Sequence, residues 1–240
     1  MKLATGVIPA RYRSERFPGK ALAPILGKPM IQRVYEAART AKYLEQVILA
    51  TDDETIFQEA RNFGAEVLMT SPHHVSGTDR VAEVAERTKN QIIINIQGDE
   101  PLIRGEAIDQ LVEALQDKDI PMATLAVRES DLSLLDDSGV VKVVPDNNGF
   151  ALYFSRSPLP HKASESFWRH VGVYGYQRDF LLKFCAMPPS RLEKIEKLEQ
   201  LRALENGFRI KIIESRFSSL SVDFPEDIIK VEKLLKEAKI

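Results

Sequence analysis

The chain has 240 residues, of which 44% are hydrophobic and 28% are charged, a balance that is usual for a globular protein. Its 33 basic and 35 acidic residues give a formal net charge of -2, so no overall field attracts nucleic acid or an anionic membrane surface. No apolar run approaches the roughly 20 residues of a membrane span, and residues 1–9 are too short for a signal peptide. We therefore expect a cytoplasmic protein that binds neither nucleic acid nor a membrane.

In the first two thirds of the chain, short β-branched runs alternate with amphipathic stretches. This alternation predicts strands at 3–9, 47–50 and 92–96, followed by helices at 30–41, 54–63 and 106–115. Asp52 and Gly64 are the predicted start and stop signals of the second helix. Strands such as Ile92-Ile93-Ile94 are typical of a sheet buried on both faces. The pattern predicts an α/β fold with a mostly parallel central sheet flanked by helices, as in Rossmann-like proteins.

After residue 120 the sequence becomes rich in strands. We predict strands at 123–127, 140–144, 151–154 and 210–213, helices at 180–186, 195–205 and 226–236, and a hairpin turn at 146–149. No linker divides the chain, so we expect one domain over 1–240, with a core at about 1–120 and 205–240 and an excursion at about 121–204. Cys185, the one cysteine, excludes an internal disulfide and is predicted to be buried.

The loop after the first strand is strongly basic. Within residues 10–20 it carries four cations: Arg11, Arg13, Arg16 and Lys20. Arginine binds phosphate oxygens in pairs, lysine adds a compact charge, and Gly19 allows close approach of the backbone. Ligands of open α/β sheets bind beyond the carboxyl ends of the strands, so the loop is a candidate polyphosphate site; a solvated basic loop is the alternative.

Two common phosphate-binding motifs are absent from this loop. Position 14 is Ser where a P-loop has its first glycine, and Lys20 precedes Ala21 rather than Ser or Thr. No Gly-x-Gly-x-x-Gly follows the first strand either. These departures argue against P-loop kinases and against nicotinamide dehydrogenases.

The loop sequence Ile-Pro-Ala-Arg-Tyr-x-Ser-x-Arg-x-Pro-Gly-Lys resembles the opening motif of the CMP-Kdo synthetases, or 3-deoxy-manno-octulosonate (Kdo) cytidylyltransferases. The resemblance extends almost end to end. Its further segments are 26–31 (LGKPMI), 76–80 (SGTDR), 95–101 (NIQGDEP), 153–156 (YFSR), 170–176 (HVGVYGY), 198–202 (LEQLR) and 222–223 (VD). The family usually has Thr where this chain has Phe224, and a smaller residue where it has Arg13.

The resemblance implies a nucleotidyltransferase that joins CMP from CTP to the anomeric hydroxyl of Kdo and releases pyrophosphate, for lipopolysaccharide biosynthesis. It implies a homodimer and assigns sugar binding and dimerisation to the excursion. The nucleotide-binding residues that it implies are Ala10, Arg11, Ser14, Arg16, Lys20, Ser76, Gly77, Thr78, Arg80, Gln97 and Asp99. Lys20 and Arg16 would neutralise charge as pyrophosphate departs, and Ser76 and Asp79 also have the spacing of a helix cap.

Two aspartates are candidate magnesium ligands. Asp99 follows the buried strand at 92–96, and Asp223 precedes a predicted helix. Magnesium prefers a few carboxylate oxygens together with phosphate and water oxygens. The family's metal-binding aspartates match these two positions. Together with Lys20 and Arg16, the two aspartates make up the predicted catalytic set. Alternatively, Asp99 lies in a turn, and Asp223 with Glu226 forms a capping box.

Kdo carries a carboxylate and several hydroxyls. The sugar-binding residues that the resemblance implies are Arg156, His170, Tyr174, Glu199 and Gln200, with Arg156 for the carboxylate. His170 is either a general base or a residue with a hydrogen-bonding or packing role. Tyr174 also suits a core position, and Glu199 a solvated helix face. Two other functions compete with this one. The first is transfer of CMP to a related sugar acid, and the second is regulation by a protein that binds CTP without turnover.

Overall fold

A computed structural model describes residues 3–12, 16–217 and 220–237 of the protein. The chain divides into two compact units, Met1–Asp109 with Phe217–Ile240, and Gln110–Arg216. Parallel strands flanked by helices confirm the α/β fold class that the sequence predicts. Among the described residues, no helix is both long enough and apolar enough for a bilayer. The functional division into a nucleotide-binding core and a sugar-binding excursion stays a prediction.

The strands (β) and helices (α) are numbered along the chain. The first group is β1 (Ala4–Ala10), β2 (Pro24–Ile25), β3 (Lys28–Pro29), α1 (Met30–Ala38), β4 (Leu44–Thr51), α2 (Glu54–Asn62), β5 (Glu66–Met69), α3 (Gly77–Glu86), β6 (Ile92–Asn95) and α4 (Gly105–Ala114). The second group is β7 (Met122–Glu129), β8 (Lys142–Pro145), β9 (Ala151–Ser155), β10 (Phe167–Gln177), α5 (Arg178–Ala186), α6 (Arg191–Glu196), α7 (Leu201–Glu205), β11 (Ile210–Glu214) and α8 (Pro225–Glu237). Single turns of 3-10 helix lie at Lys20–Leu22 and Leu132–Leu134.

The first unit contains a parallel sheet in the order β6, β1, β4, β5. Val7 and Ile8 of β1 and Ile93 and Ile94 of β6 are fully buried, which explains their near-continuous apolar sequence. Because these strands are parallel, their carboxyl ends lie at one edge of the sheet. The loops that follow β1, β4 and β6 are therefore neighbours.

The second unit contains the strand-rich part of the chain. β7 pairs with β11 in parallel and with β10 in antiparallel orientation, and β8 pairs antiparallel with both β10 and β9. The predicted hairpin turn between β8 and β9 is confirmed: Gly149 has φ of 74° and donates its N–H to the carbonyl of Asp146 at 3.0 Å. Only a residue that tolerates the left-handed region closes such a turn easily.

Three sequence predictions about this scaffold were wrong. Asp53, not Asp52, caps α2, and its carboxylate accepts the N–H of Ile56 at 3.1 Å. The helix predicted at 195–205 is two helices, α6 and α7, because Lys197 adopts φ of 54° and ends α6. Cys185 is only partly buried. In addition, β5 and the eleven-residue strand β10 were not predicted.

A tight contact at the start of α4 leads to a prediction about stability. A Cβ atom on Gly105 would lie 2.4 Å from Oγ1 of Thr40 and 2.6 Å from the backbone nitrogen of Ala41. Backbone cannot yield as a flexible side chain does, so Gly105→Ala is expected to lower the free energy of unfolding by about 1–3 kcal/mol. Urea denaturation measures the change. Glu106→Ala at the neighbouring exposed position is the control, and a Gly105→Ala variant as stable as that control would contradict the prediction.

Candidate active site

The basic loop after β1 folds back on itself. Gly19 has φ of 71° and donates its N–H to the carbonyl of Tyr12 at 3.0 Å. Lys20 follows at once and begins a turn of 3-10 helix. Arg11 and Arg16 are exposed, while Ala10 at the end of β1 is buried. Ser14 and Arg13, which also belong to this loop, lie outside the described residues.

Lys20 brings the two predicted aspartates together. Its Nζ atom lies 2.6 Å from Oδ2 of Asp99 and 3.9 Å from Oδ1 of Asp223, and it donates to the carbonyl of Val222 at 2.9 Å. The side chains of Lys20, Asp99 and Asp223 are 17%, 28% and 33% exposed, so the three charges are partly shielded from water and remain reachable by a ligand. A positive charge thus lies between two carboxylates that are far apart in sequence.

Backbone contacts explain why these residues meet. A Cβ atom on Gly98 would lie 3.1 Å from the carbonyl oxygen of Pro9, so glycine lets the loop after β6 approach the end of β1. The N–H of Val222 donates to the carbonyl of Asp99 at 2.9 Å, which holds the 222–223 segment beside that loop. Asp227 in the first turn of α8 accepts the N–H of Asp223 at 3.1 Å. The alternative in which Asp223 and Glu226 form a capping box is therefore wrong.

Arg16 adds a second cation to Asp223. Its Nη2 atom donates to Oδ1 of Asp223 at 2.8 Å, and its guanidinium carbon lies 5.4 Å from the ring centroid of Phe224. Phe224 is the residue where the resembled family usually has Thr. At this distance the ring attracts the cation, so the aromatic side chain supports Arg16 and does not displace Asp223 from the group.

The predicted base-side and ribose-side residues lie in the same unit, at the start of α3 and after β6. Ser76 caps α3: its Oγ accepts the N–H of Asp79 at 3.1 Å, and Asp79 accepts the N–H of Ser76 at 3.0 Å. Gly77 is close to Pro9, since a Cβ atom there would lie 3.4 Å from the proline ring. The α3 N-terminus is therefore next to the end of β1, where a nucleotide bound by the first loop would reach it.

A chain of amides and hydroxyls continues from this point. Gln97 donates to Oδ1 of Asn95 at 3.2 Å, and Asn95 donates to Oγ1 of Thr78 at 3.5 Å. Asn95 and Thr78 are buried. These side chains have fixed directions, which suits the reading of a base or ribose edge by hydrogen bonds.

Arg80 is buried, with 5% of its surface exposed, and it pairs with Asp52, which the sequence analysis assigned to a helix start and not to the site. Its Nη2 atom lies 3.1 Å from Oδ1 of Asp52, and its Nη1 atom donates to Oγ1 of Thr70. A buried guanidinium requires such a partner. Asp52 directly follows β4, so the rule that ligand sites lie beyond strand ends was the available signal.

In the second unit, a bulge in β10 brings His170 and Tyr174 together. His170 lies opposite Ala126 and Tyr174 opposite Thr124, so four residues of β10 cover two positions of β7. In a regular strand, residues four apart are separated by about 13 Å. Here the ring centroids of His170 and Tyr174 are 5.3 Å apart, and Phe154 packs edge-on against His170 at 5.2 Å.

The other predicted sugar-side residues lie on β9 and around α7. Oε1 of Glu199 lies 3.7 Å from Nη2 of Arg202. Burial is the main cause of a raised pKa at Tyr174, and the negative charge of Glu199 raises this pKa further. Gln200 is 3% exposed, and within the described ranges its Nε2 atom has no hydrogen-bond partner. Such a donor awaits a ligand or water. Arg156 bonds instead to Ser138 and Glu196.

Comparison with known proteins assigns the family. A family model described as cytidylyltransferase matches residues 5–214. A 3-deoxy-manno-octulosonate cytidylyltransferase of Solibacter usitatus is 53% identical over 236 residues, covering 96% of this chain and 94% of that relative. The chain belongs to the 3-deoxy-manno-octulosonate cytidylyltransferase family.

Two further relatives of the family agree in length and fold. The enzyme of that name from Syntrophotalea carbinolica is 51% identical and covers 97% of this chain and 98% of its own length. A solved structure of CMP:2-keto-3-deoxy-manno-octonic acid synthetase complexed with CTP superposes with a TM-score of 0.93 at 40% identity, covering 99% and 100% of the two chains. This chain therefore has the fold of a cytidylyltransferase over its whole length.

The donor set around Lys20 fits magnesium. Two carboxylates supply hard oxygen ligands, and magnesium characteristically adds phosphate and water oxygens to one or two such groups. In the part of the chain that the structure describes, no three His, Cys, Asp or Glu side chains form a group that could hold a metal by themselves. Asp99 and Asp223 thus suit a metal that binds together with a nucleotide, such as the CTP with which the solved relative is complexed.

The environment of His170 favours a hydrogen-bonding role over a general base. Desolvation, with a smaller contribution from Arg169, lowers the pKa of His170 from 6.5 to about 3. The hydroxyl of Thr124 donates to the carbonyl of Val173 at 2.8 Å, so the 3.0 Å contact with Nε2 requires His170 to be the donor. A neutral imidazole that resists protonation is a weak base near pH 7.

This depressed pKa predicts a loss of stability in acid. Between pH 6.5 and about 3 the unfolded chain binds a proton at His170 and the folded chain does not, so folding weakens as the pH falls. His170→Gln is expected to reduce the slope of unfolding free energy against pH by up to about 1.4 kcal/mol per pH unit in this window. Urea unfolding from pH 7.5 to 5 measures it. His161→Gln, at an exposed histidine, is the control; equal slopes in all three proteins would disprove the lowered pKa of His170.

Proposed function

We propose that the protein transfers CMP from CTP to the anomeric hydroxyl of Kdo, forming CMP-Kdo and pyrophosphate. The transfer chemistry is supported by the meeting of Lys20, Asp99 and Asp223 within the first unit. The substrates are those that the names of its relatives state. The hydroxyl oxygen attacks the α-phosphorus and releases its proton to solvent, the bond from that phosphorus to the bridging oxygen breaks, and pyrophosphate leaves with the bond's electrons.

Cations of the first loop receive the triphosphate in this proposal. Lys20 and Arg16 already face carboxylates at 2.6 and 2.8 Å, so each is held near the position where phosphate oxygens would arrive. Both neutralise charge that builds up on departing pyrophosphate. Phosphoryl-type transfers have loose transition states, so positioning and charge neutralisation supply most of the catalysis.

Asp99 and Asp223 would hold magnesium beside the same phosphates. The bound metal supplies neutralisation of phosphate charge and fixes the phosphate oxygens in one orientation. Lys20 compensates both carboxylates, so neither negative charge is left alone. The nucleoside is bound by residues at the ends of β1 and β6 and at the start of α3: Ala10, Arg11, Ser14, Ser76, Gly77, Thr78, Arg80 and Gln97.

Residues of the second unit bind the sugar acid. Arg156 pairs with the carboxylate of Kdo, and the hydroxyls bond to His170, Tyr174, Glu199 and Gln200. The free Nε2 donor of Gln200 supports this role, since a buried amide without a partner is unfavourable until a ligand or water satisfies it. Burial keeps Tyr174 protonated by raising its pKa, so its hydroxyl remains a hydrogen-bond donor.

The biological setting is also part of the proposal. A homodimer that works in the cytoplasm, where CTP is found, would make CMP-Kdo for lipopolysaccharide biosynthesis. Leu152 and Ile195 of the second unit are 62% and 64% exposed, which is unusual for large apolar side chains and suits a subunit contact. Sedimentation of the protein at micromolar concentration would give the oligomeric state directly.

Asp99→Asn tests the role of the metal-binding pair. The neutral amide keeps the shape of the side chain but removes the charge that holds the metal, so kcat is expected to fall by at least about a hundred-fold with the thermal midpoint little changed. Pyrophosphate release with saturating CTP, Kdo and magnesium measures it. The matched control is Asp119→Asn, at an exposed aspartate of the second unit. Turnover like that of the wild type would remove Asp99 from the mechanism.

The identity of the acceptor is tested by pyrophosphate release over a panel of sugar acids. Kdo is expected to give multiple turnovers with the highest kcat/KM, ahead of an 8-amino analogue and a nonulosonate. A faster reaction with another member of the panel would overturn the proposed acceptor. Binding of CTP with no pyrophosphate release from any acceptor, under several divalent metals, would overturn the enzymatic function itself.

A further inference from the structure

The guanidinium of Arg156 is held by main-chain oxygens. Its Nε atom donates to the carbonyl of Glu196 at 3.1 Å, and its Nη1 atom donates to the carbonyl of Ser138 at 2.9 Å. Among the described residues, no carboxylate lies within ion-pair distance of this guanidinium. Two neutral acceptors therefore fix its orientation and leave its positive charge available for an anionic ligand.

Glu196 organises the chain around Arg156. One carboxylate oxygen accepts the hydroxyl of Ser155 at 2.8 Å and that of Tyr153 at 3.3 Å, and the other accepts the backbone N–H of Arg156 at 3.1 Å. With the bond from its carbonyl to Arg156 Nε, this one residue makes four contacts with the end of β9. A carboxylate suits this place, because it accepts several hydrogen bonds and donates none.

The local fold explains why the carbonyl of Glu196 is free for this contact. Glu196 is the last residue of α6, and the left-handed conformation of Lys197 stops the helix. The last four carbonyls of a helix lack donors within the helix, so they need hydrogen-bond donors elsewhere. Arg156 supplies that partner for Glu196.

A buried lysine holds the backbone carbonyl of Arg156. Lys142 is fully buried, and its Nζ atom donates to the carbonyls of Arg156 at 2.6 Å, Val140 at 2.7 Å and Asp137 at 2.9 Å. These three bonds use all the ammonium protons. They tie residues 137–140, which include the Ser138 carbonyl, to the same arginine.

We propose that Glu196 is a positioning residue that sets the Arg156 guanidinium to receive the carboxylate of the sugar acid. This inference rests on the proposed role of Arg156 in sugar binding. Glu196 does not touch the substrate; it acts by fixing both the backbone and the side chain of the residue that does. Substitution of a residue that only stabilised the fold would not change the KM for Kdo more than the KM for CTP.

The first test compares the KM values of the two substrates. Glu196→Gln removes the charge at nearly constant shape, and it is expected to raise the KM for Kdo about ten-fold while the KM for CTP changes less than about two-fold. Ser155→Ala, which deletes the 2.8 Å bond, should act in the same direction by about three-fold. It provides a measurement even if the Glu196 variant does not fold.

Glu205→Gln is the matched control. Its carboxylate accepts the N–H of Leu192 at 2.8 Å at the start of the same helix, with no bond to Arg156. Both KM values are expected to stay within about two-fold of the wild type. If Glu196→Gln and Ser155→Ala shift the two KM values equally, or shift neither, Glu196 is not a positioning residue for the sugar acid.

A double-mutant cycle separates this inference from the proposed function. Arg156→Ala is expected to raise the KM for Kdo about a hundred-fold, and Glu196→Gln should add less than about two-fold in that background. Full additivity of the two effects would overturn the role of Glu196 and leave Arg156 as a sugar-binding residue. An unchanged KM for Kdo in Arg156→Ala would instead remove Arg156 from sugar binding, and the inference with it, while turnover of Kdo by the wild type would still support the transferase.

Discussion

The shared ammonium of Lys20 is the interaction on which the candidate active site depends. It connects the loop after β1 with Asp99, 79 residues later, and with the Val222 carbonyl, 202 residues later. Without it, two carboxylates would face each other at a partly shielded position with no compensating charge, which is unfavourable. The same arrangement places one cation and two acids side by side, as the proposed binding of a metal-bound triphosphate requires.

Backbone contacts hold the segments that carry these groups within reach of the Lys20 ammonium. A Cβ atom on Gly98 would lie 3.1 Å from the Pro9 carbonyl oxygen, so glycine lets the loop after β6 approach β1, and the Val222–Asp99 backbone bond holds the late segment beside that loop. Arg16 and Phe224 then add a cation and an aromatic surface around Asp223. The aromatic residue that departs from the family pattern is accommodated because an arginine lies over it.

More of the candidate active site than of the detailed scaffold could be predicted from the sequence. Strong periodicity predicted the parallel strands, turn residues predicted the hairpin at 146–149, and the family motif pointed to Lys20, Asp99 and Asp223, which the structure brings together. Local propensity could not show which of two adjacent aspartates caps α2, or that Lys197 would leave the helical region. The bulge in β10 and the contacts of Glu196 depend on packing between distant segments, for which a single sequence carries no signal.

Manganese binding followed by electron paramagnetic resonance, with CTP present and Kdo absent, tests the central claim most directly. The account predicts one nucleotide-dependent metal per wild-type chain, and affinity at least about ten-fold weaker in Asp99→Asn and in Asp223→Asn, because both carboxylates are ligands. Metal bound equally well by the folded double variant would contradict it, since the two aspartates around Lys20 would then not form the metal site.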